Sequence, residues 1–141
     1  MKRFLLIALL LMTGCAQLPP PPEDAAAKRF DPLPGKSVIY LARHVLEPSY
    51  VAPVILDDRP IGSTYHGTYM RIEVPAGKHQ LRGMAGDSAS IKLDTQPGQI
   101  YFVQHTTYGY RNFVSSNFDL VNADYGRSLV LRGQITALVT Q

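Results

Sequence analysis

The sequence predicts a mainly β chain: a small antiparallel β-sandwich with one short C-terminal helical segment, preceded by a signal peptide and a proline-rich tether. Three observations carry that reading. Between Ser37 and Gln141 short runs alternate apolar and polar residues with period two, the pattern of half-buried strands. These runs are separated by Gly, Pro and Asp in turn-forming positions, at the spacing of about ten residues seen in antiparallel sandwiches and barrels. The first 36 residues show neither feature, being an apolar run followed by a segment holding six of the eleven prolines. A chain of 141 residues, 45% hydrophobic and 18% charged, suits one ordinary domain and excludes a multidomain enzyme.

Val38 to Val45 is almost continuously apolar as far as Ala42, as expected of a strand covered on both faces. Val54-Ile55-Leu56, Asp57-Asp58-Arg59-Pro60 and Ile61-Gly62 read as a hairpin with an acidic turn. Thr68 to Val74 alternates, placing Met70, Ile72 and Val74 on one face and Tyr69, Arg71 and Glu73 on the other. Pro75-Ala76-Gly77-Lys78 turns the chain into His79 to Met84, with Gly77 free to take positive φ. Ser88 to Leu93 and Ile100 to Thr106 follow, joined by Gln96-Pro97-Gly98-Gln99. A longer loop is expected from Thr107 to Asn117, then a strand from Phe118 to Val121. Asp124 can cap a short helical segment running to Arg132, with Gly133 as its stop. Gln134 to Gln141 reads equally as a last strand or a frayed tail.

The N-terminus has a signal layout: Lys2 and Arg3, then nine apolar residues from Phe4 to Met12, then small residues before Cys15. Nine helical residues span about 14 Å, well short of the roughly 30 Å of a bilayer core. Met12-Thr13-Gly14-Cys15 resembles the lipobox of bacterial lipoproteins, in which the thiol is acylated and the chain is cut before the cysteine. The alternative is an unmodified cysteine near an ordinary cleavage site. Cys15 is the only cysteine, so an intramolecular disulfide is impossible, and a lone free thiol would be a liability in an oxidising compartment. Lipoproteins kept at the inner membrane typically carry Asp after the cysteine; Ala16 here favours the outer membrane, with the domain facing the periplasm. Residues 1–14 are thus expected to be cleaved, 15–36 to form a lipidated, extended and mobile linker, and 37–141 to form the sandwich. Loss of Lys2 and Arg3 lowers the formal charge from +3 to +1, too little for a phosphate-binding face, so no nucleic-acid partner is expected.

Gly35-Lys36-Ser37-Val38-Ile39-Tyr40, Val54 to Gly62, Val74-Pro75-Ala76-Gly77-Lys78-His79 and Leu93 to Val103 together resemble a family of bacterial lipoproteins whose domain of unknown function is related to the PEGA-type β-sandwich. The resemblance covers roughly Gly35 to Arg132, and Asp58 departs from the glycine often found at its position. It implies an envelope-anchored, non-enzymatic domain. Its motifs report strand geometry and carry no chemistry.

No cofactor or metal is expected. His44, His66, His79 and His105 show no metal-ligand spacing, and neither a nucleophile elbow nor a phosphate cradle is present. Asp57 and Asp58 read as a solvated turn. Tyr65, Tyr69, Tyr108 and Tyr110, with Arg111 and Phe113, lie near turns and on polar strand faces, and Tyr108, Tyr110, Arg111 and Phe113 form the candidate partner-binding patch. The sequence thus points to an envelope lipoprotein attached to the membrane through Cys15 and presenting a binding or structural module to an envelope protein or to peptidoglycan. Two alternatives stay open: a small envelope hydrolase using converging His and Asp residues, and a subunit that pairs through an exposed edge strand.

Overall fold

Burial of alternate residues organises the chain into two sheets. The computed structural model describes residues 21–85, 88–110 and 113–141. Its strands are β1 (Lys36–Ala42), β2 (Ala52–Leu56), β3 (Arg59–Thr64), β4 (Thr68–Pro75), β5 (Gly77–Gly83), β6 (Ser90–Thr95), β7 (Ile100–Tyr110), β8 (Phe113–Val121) and β9 (Gln134–Thr140); its helices are α1 (Pro22–Ala27) and α2 (Ala123–Arg132). One sheet has the order β8-β7-β1-β4-β9 and the other β3-β2-β5-β6. The fold is mainly β, mostly antiparallel, with a short helix near the C-terminus, consistent with a small sandwich.

The central strand β1 shows why its sequence is apolar on both faces. Ile39 and Leu41 join Leu56, Met70, Ile72, Leu81, Val103 and Phe118 in the core between the sheets. Val38, Tyr40 and Ala42 point the other way and pack with Tyr69, Phe102, Ala27 of α1 and Leu129 and Val130 of α2. The helices therefore add a third layer over the outer face of the large sheet.

That layer corrects the expected linker. Residues 22–36 are not a mobile tether: Pro22 opens α1, where its missing N–H costs nothing, and Phe30 and Leu33 pack against the second core. Asp24 is 2% exposed. Its carboxylate accepts from Lys28 at 2.7 Å, the Tyr69 hydroxyl at 2.9 Å and the Ile135 N–H at 3.0 Å. Burial pushes this carboxyl's pKa up, but those hydrogen bonds and the Lys28 charge outweigh it and hold it below its ordinary value. Tyr69 is accordingly a buried residue under α1, where period two had placed it on a polar face.

Two pairs are parallel: β1 with β7 (Tyr40 opposite Phe102) and β4 with β9 (Ile72 opposite Val139). The second follows from α2, which carries the chain back along the sheet so that β9 must run with β4. Gln134 to Thr140 is thus a strand. The expected loop from Thr107 to Asn117 is instead the upper part of a β7–β8 hairpin, with Tyr108 opposite Ser115. Asn122, rather than Asp124, caps α2, its side-chain oxygen accepting from the Tyr125 N–H at 2.9 Å. The Asp57-Asp58 turn is a two-residue hairpin with both residues left-handed, at φ 47° and 65°, which short polar side chains tolerate.

Candidate functional site

Strand direction sorts the connections into two ends. At one lie the turns around Asp57-Asp58, Ala76 and Gln96 to Gln99. At the other lie the β1–β2 loop, the β3–β4 turn, the β5–β6 loop and the tip of the β7–β8 hairpin. This loop end is the candidate site, and a buried arginine organises it.

Arg43 follows β1 directly and has no exposed surface. Its Nη1 donates to the Tyr50 carbonyl at 2.6 Å and the Thr64 carbonyl at 3.2 Å. Its Nη2 donates to the Pro48 carbonyl at 2.8 Å and Thr107 Oγ1 at 2.6 Å, and its Nε to Glu47 Oε2 at 3.2 Å. The planar fork thus ties the β1–β2 loop to the ends of β3 and β7. Burial pulls the pKa of Arg43 down, and the Glu47 charge offsets part of that. Glu47 Oε2 also accepts from the Thr107 N–H at 3.2 Å, while Glu47 Oε1 is buried with no hydrogen-bond partner among the described residues.

Beside this network, His105 is fully buried and stacks on Phe118 with ring centroids 4.6 Å apart. Its Nδ1 lies 2.8 Å from Thr64 Oγ1 and its Nε2 2.8 Å from Ser116 Oγ. Burial, with a smaller contribution from the Arg43 charge, pushes its pKa down to about 3, so the ring is neutral. The Ser116–His105 spacing is that of a nucleophile and base, but Thr64, His105 and Ser116 are at most 2% exposed, so the three share the core with no surface for a substrate. Ser88 Oγ accepts from the Ser116 N–H at 3.0 Å, and Ala89 N–H donates to the Ser116 carbonyl at 2.8 Å, pinning the β5–β6 loop on β8. Gly83 permits that approach: a Cβ there would stand 2.6 Å from Ser88 Oγ.

Over this polar base the loops expose apolar side chains. Leu46 (85% exposed) and Val51 (61%) come from the β1–β2 loop, Tyr65 from the β3–β4 turn, Met84 from the β5–β6 loop, and Tyr108 and Phe113 (79%) from the hairpin. The loops are joined: Gly67 N–H donates to the His44 carbonyl at 3.3 Å, and the Tyr50 hydroxyl to the Gly109 carbonyl at 3.2 Å. Tyr108 and Phe113 of the sequence-derived patch therefore stand at this end. The Tyr110 side chain and Arg111 lie outside the described residues, as do the signal segment and Cys15. Sequence reading missed Arg43, Leu46, Val51 and Met84. The available signal was a lone arginine in an apolar run, with a glutamate four residues on.

The opposite end is charged. A recess of about 450 Å³ there is lined by Asp57, Lys78, His79, Lys92 and Asp94 among others. His79 sits between the Asp57 carboxylate, 2.6 Å from Nδ1, and the Pro75 carbonyl, 2.7 Å from Nε2, so it staples two turns together. His44 Nδ1 accepts from the Leu46 N–H at 3.1 Å. His44, His79 and His105 thus serve separate local roles, and no group of three or more His, Cys, Asp or Glu among the described residues is arranged to hold a metal ion. Nor is any helix among them long and apolar enough to cross a membrane. Comparison with protein-family models, with curated proteins and with solved structures finds no match to this chain.

Proposed function

We propose that the chain is an envelope lipoprotein, held at the outer membrane through acylated Cys15 and facing the periplasm, whose sandwich presents its loop end as a non-enzymatic binding surface for another component of the envelope. The observation that carries the binding part is the concentration of exposed apolar and aromatic side chains at one end of the molecule. Isolated exposed apolar residues are ordinary, whereas several gathered at one end of a fold suit a contact surface. The Arg43 network supplies that base, because loops held by a buried guanidinium lose little freedom on binding. The anchoring part is supported by Met12-Thr13-Gly14-Cys15 behind a short apolar segment. Three acyl chains would make attachment effectively permanent.

Metabolic labelling with palmitate tests the anchor. The full chain is expected to take up label and to stay with membranes through an alkaline carbonate wash. Cys15→Ala is expected to take up none and to be released by the wash. Equal labelling of the variant, or its retention after the wash, overturns the reading.

A further inference from the structure

The geometry points to a specific occupant for the loop end: we infer that Leu46, Val51, Tyr65, Met84, Tyr108 and Phe113 rest in the headgroup region of the bilayer that anchors the chain, so that the sandwich stands end-on to the membrane. This inference rests on the lipoprotein reading above.

Three observations carry it. The first is the length of the leash. Because α1 is clamped to the sheet through Asp24, only five residues, six chain steps, separate Cys15 from Pro21, where the described chain begins. Six such steps reach at most about 20 Å in any conformation. A domain of roughly this size has a radius of gyration near 13 Å, so one of its faces must stay close to the lipid.

The second is where the leash attaches. The Asp24 carboxylate bonds to Ile135 N–H, and the Lys28 ammonium to the Gly133 carbonyl at 2.8 Å. Gly133 and Ile135 flank the start of β9, and Gln134 N–H donates to the carbonyl of Gly67 in the β3–β4 turn. The anchored segment therefore enters next to the loop end.

The third is chemical. The charged turns of Asp57, Asp58, Lys78 and Asp94 are at the far end, whereas the described residues of the loop end hold their one carboxylate, Glu47, against Arg43. Tyrosines and a phenylalanine beside aliphatic side chains suit the boundary between headgroups and acyl chains. A short leash also raises the effective concentration of lipid at the domain, so contacts too weak to recruit a free protein suffice to orient a tethered one.

The test uses the full-length lipidated protein in vesicles of phosphatidylethanolamine and phosphatidylglycerol. Acylation consumes the thiol of Cys15, leaving a single introduced cysteine to label. An environment-sensitive fluorophore is placed in Leu46→Cys, Phe113→Cys or, at the opposite end, Lys78→Cys. Brominated acyl chains are expected to quench the labels at 46 and 113 at least twofold more than the label at 78. Protein that floats with the vesicles while 46 and 113 are quenched no more than 78 overturns the docking and leaves the anchor standing. Protein that does not float overturns both.

Discussion

At the scale of single residues, two buried polar side chains set the stability of the loop end. Arg43 is fully buried and makes five hydrogen bonds, four of them to groups other than its ion-pair partner. Removing one partner of a buried pair leaves the other charge uncompensated and costs about 3–5 kcal/mol. Arg43→Ala should therefore lower the unfolding free energy by about that amount in urea titrations. Arg43→Lys should recover less than half of it, since an ammonium restores the charge without the fork that reaches Tyr50, Pro48 and Thr107 together. Full recovery by lysine would show that charge alone matters. His105 makes stability depend on pH. Its folded pKa, about 3, lies below the ordinary 6.5, so as pH falls the unfolded chain takes up the proton first. The contribution is complete above pH 6.5 and is lost at about 1.4 kcal/mol per pH unit between there and pH 3. Asp24, with its lowered pKa, adds a loss only below about 3.8. Urea titrations at pH 7, 5.5 and 4.5 should show a shallower decline for His105→Asn than for the parent; equal slopes would refute the assignment.

At the scale of elements, packing decides where local preference points the other way. Gly126 is buried where the first turn of α2 closes, and a Cβ there would stand 2.2 Å from Phe102 Cβ. Helix propensity alone makes Gly126→Ala stabilising by about 1 kcal/mol. Overpacking of a filled core costs about 1–3 kcal/mol, and Phe102 cannot yield at its Cβ without moving β7. The melting temperature of Gly126→Ala should fall; a rise would show that α2 can slide. The same competition explains which elements were readable in the sequence. Double-sided apolarity identified β1, period two identified β4, and Pro and Gly turns identified the hairpins, because each is a local consequence of burial. Period two puts Tyr69 on a polar face because it alternates in step with the charged Arg71 and Glu73, while the helix that covers it comes from a segment whose prolines and charges resemble a linker. The upper β7–β8 hairpin reads as a loop in the sequence because Tyr, Gly, Arg and Asn suit turns, and only its ladder shows otherwise. Arg43 is illegible in the sequence for a deeper reason: two of its acceptors, the Thr64 carbonyl and Thr107 Oγ1, reach it only when β3 and β7 meet the β1–β2 loop in the fold.

At the scale of the whole molecule, the folded unit reaches back beyond Ser37 at least to Pro21, and this has a measurable consequence. A chain beginning at Ser37 lacks α1 and the segment after it, and so uncovers Tyr40, Tyr69 and Phe102. Tyr40 and Phe102 stack on one another, and Phe30 meets both edge-on at centroid distances of 5.3 and 5.8 Å. Tyr69 loses Asp24, the acceptor of its hydroxyl, and Tyr40 loses the Ala27 carbonyl at 2.6 Å. Leaving two buried hydroxyls unpaired costs about 1–3 kcal/mol each, offset where water reaches them. Exposing partly buried Phe30 and Leu33 partners adds about 2 kcal/mol. A total near 4 kcal/mol corresponds to a fall of about 10–20 °C in melting temperature for a domain of this size. Thermal unfolding of the chain from Pro21 against the chain from Ser37 measures this directly, and the shorter chain should also expose an aromatic face that promotes association. Equal melting temperatures would mean that the leader is not part of the cooperative unit. The leash to Cys15 would then regain its extended length, and the end-on orientation at the membrane would lose its first support.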